Sequence, residues 1–256
     1  MSGGGALVRL WRWFAGHAFW LLPLTVLILV LVAYVDRPLA VYFKSRDPAD
    51  IAFFVAVNDG GNSKWYLVPT GIFGLLCLGL AARLAVDRRR LLRWVGEANL
   101  FLFASVAVSG LTITVLKTLF ARSRPRLLFS ADEYDWRFLS LGSDINSFPS
   151  GHSNTMFALA LALGYLWPRW RWAFLLLAAP VAFARVVNTN HYLSDVLAGA
   201  AVAVLTAPLV HAWFASRGWA FEMRPGGSRL KAEGRLALAR MRRPFGRRLA
   251  GAARRR

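Results

Sequence analysis

Six stretches of the chain are apolar for long enough to approach the span of a bilayer, which takes about 17 to 25 residues. They run from His17 to Val35, Trp65 to Val86, Asn99 to Phe120, Ser153 to Trp167, Trp172 to Val187 and Leu193 to Phe214. Apolarity sustained at this length predicts helices, because inside lipid a helix satisfies its own backbone N–H and C=O groups. The fourth and fifth runs are short for the task. The first is too long in its apolar core for a cleaved signal peptide and lacks a small-residue cleavage end, so it is expected to stay as a helix. The predicted fold class is all-α, a six-helix membrane bundle over residues 1–215 followed by a tail over 216–256.

Composition agrees with a membrane body. Of 256 residues 57% are hydrophobic and 11 are Trp, with a mean hydropathy of +0.43, too apolar for a soluble domain with a polar surface. Charge then sets the orientation. Arg9 and Arg12 precede the first run, Arg83, Arg88, Arg89, Arg90 and Arg93 lie between the second and third, and Arg169 and Arg171 lie between the fourth and fifth. The positive-inside rule makes those segments, and both termini, cytoplasmic. From Arg217 onward 13 Lys or Arg face only Glu222 and Glu233, a balance of 13 − 2 = +11 out of the formal +19. No aromatic platform or nucleic-acid motif accompanies this tail, so anionic lipid headgroups are its expected partner and nucleic acid is not. Leu230, Leu236, Leu238 and Met241 space it as a weak interfacial helix or a disordered segment. The single cysteine, Cys77, lies mid-span and excludes an intramolecular disulfide and a cysteine zinc site.

Three short polar strings stand at span ends: Lys117 to Arg124-Pro125, Pro149-Ser150-Gly151-His152, and Arg185 to His191 to Asp195. On the predicted topology all fall on the non-cytoplasmic face. Lys117, Arg124 and Arg185 supply one point charge and two planar forks, the groups that bind phosphate oxygens. Lys117 and Arg124 are two helical turns apart, so a helix reaching that far would put both on one stripe, with Pro125 stopping it. Ser150 and Gly151 open the fourth span, where free N–H groups and the helix dipole favour an anion. His191 and Asp195 are spaced i, i+4, so the carboxylate can orient the ring as in a hydrolase triad, although Asp195 also suits an N-terminal cap. His17 and His211 lack charged or Gly-rich neighbours and are read as packing residues. His152 and His191 are the chemical pair.

In order and internal spacing these strings resemble the signature of the type 2 phosphatidic acid phosphatase family, over about 80 residues from Lys117 to Asp195. The resemblance implies that His191 attacks phosphorus to give a phosphohistidine, that Asp195 orients it, and that His152 protonates the leaving oxygen. Lys117, Arg124, Ser150, Gly151 and Arg185 would bind the phosphoryl oxygens, with no metal and no cofactor. It implies a multi-pass enzyme of the bacterial inner membrane acting on a lipid phosphate from the periplasmic side. Undecaprenyl diphosphate, phosphatidylglycerol phosphate, phosphatidic acid and lipid A 1-phosphate are its candidate substrates.

The match loosens at Ala184, where the family commonly has Ser, and the Asn188-Thr189-Asn190 turn could supply donors instead. Arg122 and Arg126 beside the site fit, weakly, a substrate with several phosphates. Arg37 to Lys64 suits an interfacial helix, and the acids of the Arg126 to Ser147 loop are read as solvated before they are read as a gate. A vanadate-dependent haloperoxidase of the same superfamily is a rival that six spans disfavour. A transporter or lipid-binding protein is another, disfavoured by two histidines flanking a basic pocket.

Overall fold

The computed structural model describes residues 19–224 and 227–241. Arg9, Arg12, His17 and residues 242–256 lie outside them. Helix α1 spans Phe19–Lys44, with one π turn at Leu31–Val35 that ends at its only carboxylate, Asp36. Phe19, Trp20, Leu29 and Tyr34 are exposed on this helix, as a lipid-facing surface requires. A short α2, Ala52–Val57, and a 3-10 turn at Asn58–Gly61 lead into α3, Lys64–Ala81. Then come α4, Val86–Phe120, α5, Pro125–Ala131, α6, Gly151–Leu166, α7, Arg171–Val187, and α8, Leu193–Ser216.

Among the described residues five stretches are long and apolar enough to cross a bilayer: Phe19–Lys44, Ala52–Ala81, Arg89–Phe120, Pro168–Val187 and Leu193–Ser216. The fourth apolar run is the exception. It forms α6, whose 16 residues rise about 24 Å, short of a hydrocarbon core of about 30 Å. Its neighbours explain the shortness, because α6 packs against α4, α7 and α8 and little of it meets lipid. Ala158, Ala160 and Ala162 are buried on it, small residues that let helices approach closely. At Gly199 on α8 a Cβ would lie 2.3 Å from the Ser150 carbonyl oxygen, so α8 and the turn into α6 meet backbone to backbone.

One boundary of the third run differs from expectation and the other, at Phe120, is met. The arginines at 88–93 belong to the first turns of α4 rather than to a loop, and Arg93 Nε pairs with Glu97 Oε1 at 2.9 Å one turn on. At its other end α4 stops before Pro125. Ala121 takes a left-handed conformation (φ 35°) and its N–H bonds Lys117 O, while Pro125 opens α5. Lys117 and Arg124 therefore sit on different elements and share no helical stripe.

The predicted tail is partly folded, and it adds β-structure to an otherwise helical chain. Strands β1, Phe221–Arg224, and β2, Gly227–Leu230, form an antiparallel hairpin with Phe221 opposite Leu230, followed by α9, Ala232–Met241. Phe221 and Leu230 join a buried cluster with Trp94, Phe101 and Phe214. Beneath them Glu97 accepts hydrogen bonds from the Ala220 N–H at 2.8 Å and from Lys231 Nζ at 2.7 Å. Aromatic burial and one buried carboxylate thus fix a segment whose net charge alone predicts a loose tail.

Candidate active site

Backbone turns bring the three strings together. After α7, Thr189 adopts a left-handed conformation (φ 51°), and the chain folds back so that Asn190 and His191 both donate N–H to Arg185 O, at 2.9 and 3.0 Å. This reversal fixes the distance between arginine and histidine. The Ser150 N–H donates to Asp195 O at 2.9 Å, joining the start of α6 to the start of α8. The loop before α6 is tied to the first string by Ser147 N to Arg122 O, 3.0 Å, and Arg124 N to Asp144 O, 2.9 Å.

Asp195 is fully buried, and every side of its carboxylate is engaged. Oδ2 accepts from Ser147 Oγ at 2.5 Å and from the Tyr192 N–H at 2.9 Å, and faces His191 Nδ1 at 3.6 Å. Ser147 Oγ is itself 3.4 Å from that nitrogen. Two acceptors beside Nδ1 assign the proton to it and leave Nε2 with a free lone pair. The bond to Tyr192 also serves the start of α8, so Asp195 combines the cap and the partner role. Burial pushes the His191 imidazole down to about 3, against the hydrogen bond it donates to Asp195 and with the charges of Lys117 and Arg124 adding to it.

Oδ1 of Asp195 accepts from Arg122 Nη1 at 2.7 Å. Arg122 is 1% exposed and reaches a second carboxylate, Asp36 Oδ2 on α1, through Nη2 at 2.9 Å. It also donates to Ser194 Oγ at 2.7 Å and Tyr134 OH at 2.5 Å, and its guanidinium carbon lies 4.1 Å from the centre of the Tyr192 ring. Burial alone would lower its pKa, but the Asp195 and Asp36 carboxylates outweigh burial and hold the guanidinium above its ordinary range. Arg122 is thus a structural cation, enclosed and fully partnered, and not the substrate ligand its place in the sequence predicted. Arg126 likewise pairs with Asp144 at the surface.

The remaining cations are held differently. Lys117 Nζ donates to Asn146 O, and Arg124 donates from Nε and Nη2 to Asn146 Oδ1 at 3.0 and 2.7 Å. Arg185 Nη1 donates to Asn58 Oδ1 at 2.8 Å, while its Nε is buried with no hydrogen-bond partner among the described residues. Neutral amides orient these groups without cancelling their charge. Asp59 acts on Arg185 only from beyond ion-pair distance. Gly151 faces the same space, since a Cβ there would lie 3.9 Å from Lys117 Cε. His152 completes the group and packs against Gly61, where a Cβ would come within 2.6 Å of its own Cβ. Lys117, Gly151 and His152 close one end of a cavity of about 470 Å³ whose walls include Leu67, Val106 and Leu111.

Comparison with known proteins fits this geometry. The model of the PAP2 superfamily matches residues 98–219. A lipid A 1-phosphatase of Rhizobium johnstonii is 32% identical over 223 residues, covering 84% of this chain and 86% of the relative. The chain belongs to the PAP2 superfamily. A lipid A 1-phosphatase of Rhizobium etli is 35% identical over 134 residues, 52% of this chain and 56% of that one. In fold, a transmembrane PAP2-type phosphatidylglycerolphosphate phosphatase from Bacillus subtilis superposes with a TM-score of 0.51 at 22% identity, covering 75% of this chain and 94% of that one. Family and relatives together make the chain an integral-membrane phosphatase.

All eight site residues read from the PAP2 strings thus meet in one place. Asn58, Gly61, Asn146 and Ser147 join them without having been singled out. Asn146 and Ser147 are a polar pair just before Phe148-Pro149, and Asn58 and Gly61 bound an Asn-Asp-Gly-Gly turn, but neither pattern carries a motif. Asn188 is not a substitute for the hydroxyl missing at Ala184, since its Nδ2 donates to Phe54 O at 3.0 Å and Ala184 O at 2.8 Å. The loop acids act as counter-charges, Asp132 to Arg37 at 2.5 Å and Glu133 to Arg137 at 2.7 Å.

Replacing Arg122 by Gln leaves two buried carboxylates without a cation, at a cost of about 3 to 5 kcal/mol. Thermal unfolding in detergent should show it, with Arg122→Lys recovering only part because an ammonium lacks the planar fork. Unchanged stability in Arg122→Gln would contradict the network. For His191 the folded pKa is depressed, so the unfolded chain takes up a proton below about 6.5 while the folded ring stays neutral down to about 3. This group's contribution to stability is therefore complete above about 6.5 and is lost as the pH falls towards about 3. At pH 5 the imidazole ¹⁵N shifts of His191 should be those of a neutral ring, and a half-protonated ring near pH 6.5 would contradict the assignment.

Proposed function

We propose that the chain removes the phosphate of a phosphorylated membrane lipid, with lipid A 1-phosphate as the substrate the relatives favour, through a phosphohistidine on the periplasmic face. The observation that carries this reading is the pairing of a neutral, carboxylate-oriented His191 with three cations that amides hold in place and that form no ion pair among the described residues. Such a pocket stabilises the charge of a transferring phosphoryl group, which is most of what phosphoryl transfer requires.

His191 Nε2 attacks phosphorus in line, the bond from phosphorus to the lipid oxygen breaks, and His152 gives that oxygen its proton. Lys117, Arg124, Arg185 and the N–H groups at Ser150 and Gly151 hold the phosphoryl oxygens. Water, giving a proton to His152, then attacks the phosphohistidine and releases phosphate, and His191 is regenerated. Asp195 keeps the ring in register throughout. No metal enters these steps, and among the described residues no group of three His, Cys, Asp or Glu converges as a metal site. The apolar walls at Leu67, Val106 and Leu111 let a substrate keep its acyl chains in the bilayer while its phosphate reaches Lys117. Lipid A is favoured over the diphosphate and glycerophosphate candidates because the Rhizobium johnstonii relative bearing that activity aligns over 84% of this chain.

Six crossings, α6 included, with both termini cytoplasmic, complete the reading. Arg83, Arg89, Arg90, Arg93, Arg169 and Arg171 gather at the helix ends remote from His191, where the positive-inside rule puts cytoplasm. The terminal arginines beyond the hairpin then meet anionic headgroups of the inner leaflet.

Phosphate release from a panel of lipid phosphates in detergent tests the chemistry. Lipid A 1-phosphate should be cleaved fastest, His191→Ala should lose activity by at least about 10³-fold, and EDTA should leave the rate unchanged. Full activity in His191→Ala removes the nucleophile, and abolition by EDTA removes the metal-free route. Orientation is read by fusing a periplasm-dependent reporter after Arg256, which should stay silent. An active fusion inverts the topology.

A further inference from the structure

We propose that the end of the bundle remote from His191 carries a second anion site, a cavity built to take a phosphate-bearing group. Helix α6 links the two places, with Gly151 at the first and Tyr165 at the second, fourteen positions or about 21 Å along the axis. The cavity measures about 380 Å³ and is walled by Tyr165, His211, Ser228 and three arginines, Arg171, Arg229 and Arg235.

Its charge is one-sided. Arg235 Nη1 pairs with Glu222 Oε1 at 2.9 Å and also donates to Leu230 O at 2.5 Å. Among the described residues neither Arg171 nor Arg229 has a carboxylate partner. Arg171 is also in an unfavourable place, because it opens α7, the end whose dipole repels a cation and attracts an anion, even though the 3-10 turn before it already takes the Arg171 N–H to Pro168 O. It is nevertheless held there. Its stem crosses α6 at Gly164, where a Cβ would come within 3.0 Å of Arg171 Cγ, and its guanidinium lies 5.6 Å from the centre of the Tyr165 ring. His211 stacks on that ring at 4.0 Å and 9° and shares a hydrogen bond with Ser228 Oγ at 3.0 Å. The opposite wall is fixed by the Glu97 contacts that fasten the hairpin to α4.

A phosphate here would meet two guanidiniums that form no ion pair among the described residues, Arg229 standing in register opposite the Glu222 that pairs with Arg235, together with that third guanidinium at the rim, the start of α7 and a serine hydroxyl. Trp170 and Trp172, both exposed beside Arg171, mark the level of a bilayer interface. A phospholipid headgroup of that leaflet can enter from the membrane side and a soluble phosphate from the water side, and both offer the same oxygens to the same forks. The site shares no residue with the phosphatase pocket, so its failure would leave that reading standing.

The full chain in phosphatidylcholine nanodiscs, titrated with phosphatidylglycerol and read by native mass spectrometry, tests the site. One phosphatidylglycerol should be retained, with affinity at least about tenfold weaker in Arg171→Gln/Arg229→Gln and with lipid phosphatase activity unchanged. Release of the bound lipid by millimolar inorganic phosphate identifies a site open to soluble anions, and resistance to it identifies a headgroup site. Either result supports the proposal, whereas equal affinity in the double variant overturns it. Should that variant not fold, a photo-crosslinking phosphatidylglycerol on the unaltered protein should label residues 165–171 or 227–235, and labelling confined to other segments also overturns it.

Discussion

One buried guanidinium holds the catalytic half of this molecule in register. Arg122 lies between Asp36 of α1 and Asp195 of α8, with both pairs at hydrogen-bond distance, and it comes from the turn that ends α4. Three elements far apart in sequence therefore converge on a single charge. A buried ion is costly unless it is paired and its donors are filled, and here two carboxylates, a hydroxyl and a phenol fill them. The consequence reaches the chemistry, because the carboxylate oxygen opposite Arg122 is the one that faces His191. Any displacement of α1 or of the α4 turn moves Asp195, and with it the orientation of the imidazole.

The same reasoning separates the cations by role. Arg122 is matched by carboxylates and adds no net positive charge to its surroundings. Lys117, Arg124 and Arg185 are matched by the oxygens of Asn146 and Asn58, which fix direction and leave the charge in force. A pocket of oriented, uncompensated cations is unstable by itself and becomes favourable when a phosphate enters, so its energy is spent on the ligand. The Nε of Arg185, without a hydrogen-bond partner among the described residues, is the local sign of that incompleteness.

Much of this was legible in the sequence, and the parts that were not share a cause. Long apolar runs announce helices whatever their neighbours do, and the three strings keep their spacing because each is set by a local turn, as in the return from Arg185 to His191. What pairs across the bundle is not local. Asp36 is a lone acid at the end of an apolar run, 86 residues from Arg122, and Asn58 is 127 residues from Arg185. Nothing in either neighbourhood names the other. Arg122 was misread for the same reason, since an arginine beside a phosphate motif looks like a ligand until its carboxylates are seen. The hairpin was hidden by composition, with Phe221 and Leu230 outweighed in the count by thirteen basic residues but not in the core. The third apolar run ends at Phe120, as α4 does, and it is the left-handed Ala121 that keeps the helix from running on to Arg124 and Pro125.

The length of α6 follows from where it sits. A helix that spans lipid alone must match the hydrocarbon thickness, whereas one sheathed by α4, α7 and α8 can be shorter and can begin with Ser-Gly-His without exposing those groups to acyl chains. In the proposed function its N-terminus would lie below the membrane surface, where the first N–H groups of the helix would act on a phosphate in a medium of low dielectric more strongly than they would in water. Small side chains along its flanks, and Gly199 on α8, bring neighbouring backbones close enough to seal that end. Shortness, small residues and a buried polar N-terminus are thus one solution: a helix that gives up contact with lipid can place a phosphate cradle within reach of a lipid headgroup.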